Sequence, residues 1–157
     1  MIYHRVHREM NHKTKHLIRI ITLLFYVSAF SQNENDSLLI TRLIIDDYET
    51  LSNVDVNGHI SNVTDDYILI EDGNIWDLED EIKYLFNPTK VKRTNEFKFL
   101  NIDIRNETAV VIYKLKSTFD DKRKTSEKNW SESIVCKKIN GVWKISLIHS
   151  TPIREKH

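Results

Sequence analysis

The sequence predicts an α+β domain whose N-terminal helices pack on one face of a curved antiparallel sheet. Three observations carry that prediction. Apolar residues recur at helical spacing in segments before about residue 87, the hydrophobic period becomes two from about Arg93 onward, and turn signals at Asn106-Glu107 and Asn140-Gly141 divide the second half into hairpins. Helices first and a meander afterwards is the order of an α+β fold.

Residues 1–31 stand outside this domain. Arg5, Arg8, Lys13, Lys15 and Arg19 form a basic leader, "IITLLFYVSAF" from Ile20 to Phe30 is an apolar run, and Ala29-Phe30-Ser31 puts small residues where a signal peptidase reads. The run is much shorter than the about 20 apolar residues of a lipid-spanning helix. The reading is a signal peptide over 1–31, a mature chain 32–157 that begins at Gln32 with no membrane span after cleavage, and a periplasmic or secreted location. Met10 opens a second, more ordinary basic leader.

Residues 1–31 hold five of the 23 Lys and Arg but one of the 23 Asp and Glu, so the remainder carries a net charge of −4. That excludes the concentrated basic face of a nucleic-acid binder, and Lys122-Arg123-Lys124, directly after Asp120-Asp121, reads as a solvated loop. Cys136 is the only cysteine, so residues 32–157 form a single domain held by packing without an internal disulfide. Asn62-Val63-Thr64, Asn106-Glu107-Thr108 and Asn129-Trp130-Ser131 match the glycosylation pattern, which matters only in a host that glycosylates secreted proteins.

In chain order, Ile40, Ile44, Tyr48 and Leu51 make the buried stripe of a first helix from Asp36 to about Leu51, with Asp47 at its edge and its head in water. Asp55 suits the N-cap of a short helix that ends before Thr64. "YILIEDG", Tyr67 to Gly73, reads as a strand running into an Asp-Gly turn. The acidic pair Asp65-Asp66 at its entrance lacks the spacing of a calcium loop, and the sequence calls for no metal or cofactor. Asp77 caps a third helix: Glu79, Asp80 and Glu81 suit its positive first turn, Leu78, Ile82 and Leu85 make its apolar face, and Asn87-Pro88 ends it. Four strands follow, at 94–105, 108–119, 125–138 and 142–152.

Asn140-Gly141 is the dipeptide that a two-residue hairpin prefers, because both positions need positive φ. With Ile139 opposite Val142, a regular ladder sets Cys136 against Ile145, Ile134 against Leu147, Glu132 against His149 and Trp130 against Thr151. The turn at Asn106-Glu107 sets Leu100, Ile102 and Ile104 against Tyr113, Val111 and Ala109, and a loop closed at Phe119 and Lys124 sets Tyr113 against Trp130. The inner face then gathers Tyr113, Trp130, Glu132, His149 and Thr151. A Glu facing a His can raise its proton affinity and fix its ring. Phe97, Phe99, Val110 and Ile112 fall on the opposite face, which predicts a homodimer through the outside of the sheet.

"DDYILIEDGNIWDLEDEI", residues 65–82, and "ESIVCKKINGVWKISLIHSTP", residues 132–152, resemble the nuclear transport factor 2-like superfamily in its SnoaL-like and ketosteroid-isomerase-like branch, over roughly Asp36 to Pro152. The resemblance implies a cone, a strongly curved sheet wrapped by helices around a cavity, often in a homodimer, with Trp76 near the cavity. The aspartate base and the Tyr and acid oxyanion pair of its isomerases find no residue-by-residue match, so that activity is not carried over. The candidate ligand-binding residues are Trp76, Tyr113, Trp130, Glu132 and His149. The leading function is binding of a small, partly apolar ligand. An acid/base enzyme of isomerase or hydrolase type and a non-catalytic interaction module are the alternatives, separated by whether the cone holds an open cavity.

Overall fold

Residues 34–154 are described in the computed structural model, and the signal peptide expected at 1–31 lies outside them. Helix α1 covers 34–53 and ends where Val54 takes a φ of 58°. Ile40, Ile44 and Tyr48 bury its apolar stripe as the spacing predicts. Asp47 does not: it is 4% exposed, a buried carboxylate and not a water-facing edge residue. Helix α2, Val56–Asn62, starts where the Asp55 side chain accepts the Gly58 N–H at 3.0 Å. Strand β1, Val63–Glu71, turns through Asp72-Gly73 into β2, Asn74–Asp77. Asp77 then caps helix α3, Leu78–Leu85, accepting the Asp80 N–H at 2.9 Å.

The four predicted strands form with close to their predicted limits: β3 Lys92–Arg105, β4 Thr108–Asp120, β5 Thr125–Ile139 and β6 Val142–Pro152. Asn106, Asn140 and Gly141 adopt the positive φ that their turns require. The sheet has six strands in the order β2-β1-β6-β5-β4-β3. All neighbours are antiparallel except β1 and β6, which run parallel. That pairing joins distant parts of the chain, and no local turn announces it.

Two bulges correct the expected register. The β5–β6 ladder is regular from Ile139↔Val142 to Cys136↔Ile145, and then Val135 pairs with Leu147, so Ser146 has no opposite residue. Ile145 and Ser146 are both buried, and the Ser146 hydroxyl donates to the Val135 carbonyl at 3.1 Å. An extra residue reverses the inward and outward alternation beyond it. Glu132 therefore faces Ser150, while His149 pairs with Ser133 on the exposed side. The expected Glu132–His149 dyad does not form.

Leu100 does the same in β3. Phe99 pairs with Tyr113 and Asn101 with Ile112, which leaves Leu100 bulged and exposed. Phe97 and Phe99 consequently face inward: their rings lie 5.8 and 5.5 Å from that of Tyr113, and they pack against the buried core. Their expected place on the outer face is thus overturned, whereas Val110 and Ile112 are exposed there. Between β4 and β5 the loop closes at Asp120↔Thr125, so Tyr113 opposes Glu132 and Leu115 opposes Trp130. The face is the expected one, with the pairs displaced by two residues. Bulges bend the strand that carries them and add twist, which curves this sheet under α1.

Candidate functional site

A cavity of about 410 Å³ opens on the inner face of the sheet. Leu51, Leu69, Leu115, Ile148, Phe119 and Trp130 supply apolar wall, and two polar groups interrupt it.

The first group is centred on Glu132. Its carboxylate accepts the Tyr48 hydroxyl at 2.6 Å and the Ser150 hydroxyl at 2.7 Å, and the residue is 3% exposed. Two donors from different elements, α1 and β6, meet a buried charge that would otherwise be costly. Burial, then the nearby Glu132 charge, push the Tyr113 phenol well above its ordinary pKa, and Tyr48 behaves likewise. Arg93 spans the cavity wall with its guanidinium 5.3, 5.4 and 5.9 Å from the rings of Tyr48, Phe119 and Trp130. It donates to Asn95 at 3.0 Å and to Ser117 at 3.1 Å. Glu71, on the same wall, has its pKa raised by burial and by the charges of Glu132 and Asp72.

The second group is a buried triad. His59 Nδ1 lies 2.9 Å from Asp47 Oδ1, and His59 Nε2 lies 3.3 Å from Glu81 Oε2. Asn62 donates to the same Asp47 oxygen at 3.2 Å. All three members line the cavity and none is more than 5% exposed. Phe86 and Tyr67 enclose the imidazole, with ring centres at 4.9 and 5.7 Å. Burial works to lower the His59 pKa, but the hydrogen bond to Asp47, the close contact with Glu81 and the charges of both outweigh it, carrying the value from 6.5 to about 9. Asp47 is held above its ordinary value by burial, against the pull of His59. Gly58 allows this arrangement, because a Cβ there would meet the Thr50 side chain at 2.9 Å and the Asp55 carboxylate closer still.

Of the five candidate residues, Trp130 and Glu132 line the cavity. Tyr113 is fully buried behind it, Trp76 sits half-buried on β2 with its ring 5.9 Å from that of Tyr84, and His149 is on the other side of the sheet. Sequence reasoning missed the triad, although two members carried a signal. Asp47 falls in the series 40, 44, 47, 51 and Glu81 in the series 78, 81, 82, 85, so each carboxylate occupies an apolar stripe of its helix. His59, in "VNGHISN", follows no pattern. Among the described residues no group of three or more His, Cys, Asp or Glu is arranged to hold a metal ion, and no helix is long and apolar enough to cross a membrane.

No protein-family model matches the chain, and no curated protein matches it. Solved structures do. The CamKII hub homology domain of Chlamydomonas reinhardtii superposes with a TM-score of 0.69 at 13% identity, over 76% of this chain and 99% of that one. An NTF2-like protein from Cytophaga hutchinsonii gives 0.60 at 20% identity, over 73% and 95%. A ketosteroid isomerase-like protein from Erwinia carotovora atroseptica gives 0.61 at 15% identity, over 75% and 96%. At such identities the likeness is one of fold.

Proposed function

We propose, taking as premise the nuclear transport factor 2-like fold that these likenesses establish, that the chain binds a small, partly apolar ligand in its cavity. One observation carries the reading: about 410 Å³ of open space has apolar walls interrupted by two sets of buried polar side chains. Small-molecule sites have this composition and occupy about 300–1,000 Å³. The acid/base alternative is less well supported. A His59 pKa of about 9 is far from that of a base poised for neutral pH, which leaves Asp47 and Glu71, cavity carboxylates with raised pKa values, as the groups an acid/base reaction would use.

Screening fragments of all charge classes by thermal shift, on the unaltered chain and on a cavity-filling Leu115→Trp variant, tests the reading. Saturable binders that are lost on filling are expected. An empty screen, or binding that survives filling, refutes it.

A homodimer through the outer face of the sheet accompanies this proposal. Ile68, Leu147, Val135 and Val110 lie in one cross-strand row on that face, with Ile112 beside them. An apolar row across four strands is a surface that a second copy would cover. Sedimentation at micromolar concentration should give a dimer that Val110→Glu dissociates, and a stable monomer refutes it. Export rests on the leader. Intact mass from the native host should correspond to a chain beginning at Gln32, and a full-length cytosolic chain refutes that reading.

A further inference from the structure

Resting on the cavity reading above, we propose that the ligand's polar end is an organic cation, an amine on an apolar body, seated against Glu81 and Asp47. Glu81 Oε2 is buried without a hydrogen-bonding donor, although the residue lines the cavity. His59 Nε2 is 3.3 Å away but poorly aligned, and the well-formed contact of that ring goes to Asp47 at 2.9 Å. Asn62 also gives its donor to Asp47. Protein chains rarely leave a buried carboxylate oxygen without a donor. The missing donor here would enter with the ligand.

The charge of the wall selects what kind of donor. Five carboxylates, Asp47, Glu71, Asp72, Glu81 and Glu132, line the cavity against three cationic side chains, His59, Arg93 and Lys128. Arg93 is engaged by Asn95 and Ser117 and faces three aromatic rings, and Lys128 lies over Phe119. With His59 charged, as its raised pKa favours at neutral pH, the formal balance is −2. An anion would enter against that field and a cation along it. An ammonium group offers donors and no acceptor, which suits Glu81 Oε2, the one acceptor among the buried atoms without a partner; the others are His59 Nε2 and the Tyr67 and Tyr113 hydroxyls. Phe86 and Leu85, beside Glu81 on the lining, would receive the adjoining apolar carbons.

The test compares matched probes by calorimetry on the full chain at pH 7: 2-phenylethylamine and hexylamine, 3-phenylpropanoate and hexanoate, 2-phenylethanol and hexanol. Amines should bind about tenfold more tightly than acids or alcohols. They should shift the His59 ring resonances, and they should lose about tenfold in affinity in Glu81→Gln while the alcohols change little. Acids or alcohols binding more tightly, or amine affinity indifferent to Glu81→Gln, overturns the cation assignment and leaves the cavity reading standing. Failure of every class to bind overturns both. Should Glu81→Gln not fold, the ranking of the three classes on the unaltered chain decides alone.

Discussion

The triad makes a quantitative prediction about pH. His59 is 1% exposed and its pKa rises from 6.5 to about 9 on folding. Because the folded value is the higher one, the folded chain holds an extra proton between the two. The stabilisation is complete below pH 6.5 and is lost as pH rises through about 9. At about 1.4 kcal/mol per pKa unit the interval corresponds to about 3 kcal/mol, a large share of a small domain's stability. Removing the imidazole leaves Asp47 and Glu81 buried together without a cation, which costs about 3–5 kcal/mol at neutral pH. The assay is urea unfolding from pH 6 to 9.5, on the unaltered chain and on His59→Gln. Tyrosine ionisation in the unfolded chain begins near the top of this range, but it is common to both proteins and cancels in their difference. The difference between the two proteins should be greatest near pH 6 and shrink by about 3 kcal/mol by pH 9. Asp47, a carboxylate with a raised pKa, also loses stability as pH rises, beginning from its ordinary value of 3.8. A difference that stays flat from pH 6.5 to 9, or an NMR titration of His59 with its midpoint near 6.5, refutes the reasoning.

Three further outcomes are expected. Tyr48→Phe removes the 2.6 Å donor to buried Glu132 and should cost about 1.5–3 kcal/mol in urea unfolding, and a loss under about 0.5 kcal/mol would show that the bond contributes little. His149→Ala should change stability by no more than about 0.5 kcal/mol and leave ligand affinity untouched, because the side chain is exposed on the far face, and a loss of binding would restore it to the site. Cys136, fully buried with its thiol pushed up to about 12, should resist iodoacetamide at pH 8 until denaturant opens the fold, and rapid labelling of the native chain would contradict its burial.

Much of the fold was legible because its signals are local. Asp55 and Asp77 cap the helices they were expected to cap, and Asn140-Gly141 makes the hairpin it was expected to make. The site was half legible, because a turn determines register only as far as the first irregularity. Each bulge nevertheless left a mark: Phe99-Leu100 and Leu147-Ile148 are adjacent apolar pairs inside otherwise alternating strands, the first at the bulged Leu100 and the second directly after the bulged Ser146. Reading Leu147-Ile148 as a change of parity would have put Ser150, not His149, opposite Glu132. The β1–β6 pairing and the meeting of Asp47, His59 and Glu81 depend on how three helices settle over a bent sheet. No periodicity within one element encodes that.

The bulges also bear on how a chain of this kind could be reshaped, in the laboratory or over generations. Deleting Ser146 would leave every observed pair from Val135↔Leu147 to Trp130↔Pro152 as it is, and deleting Leu100 would do the same for Phe99↔Tyr113 and Asn101↔Ile112. The same side chains would still point inward, while the bend that each extra residue imposes would relax. Single-codon deletions at these two positions thus act on the dimensions of the chamber, and substitutions at Glu132, Ser150 or Ile148 act on its chemistry. The size of the cavity and the chemistry of its wall can therefore drift independently of one another.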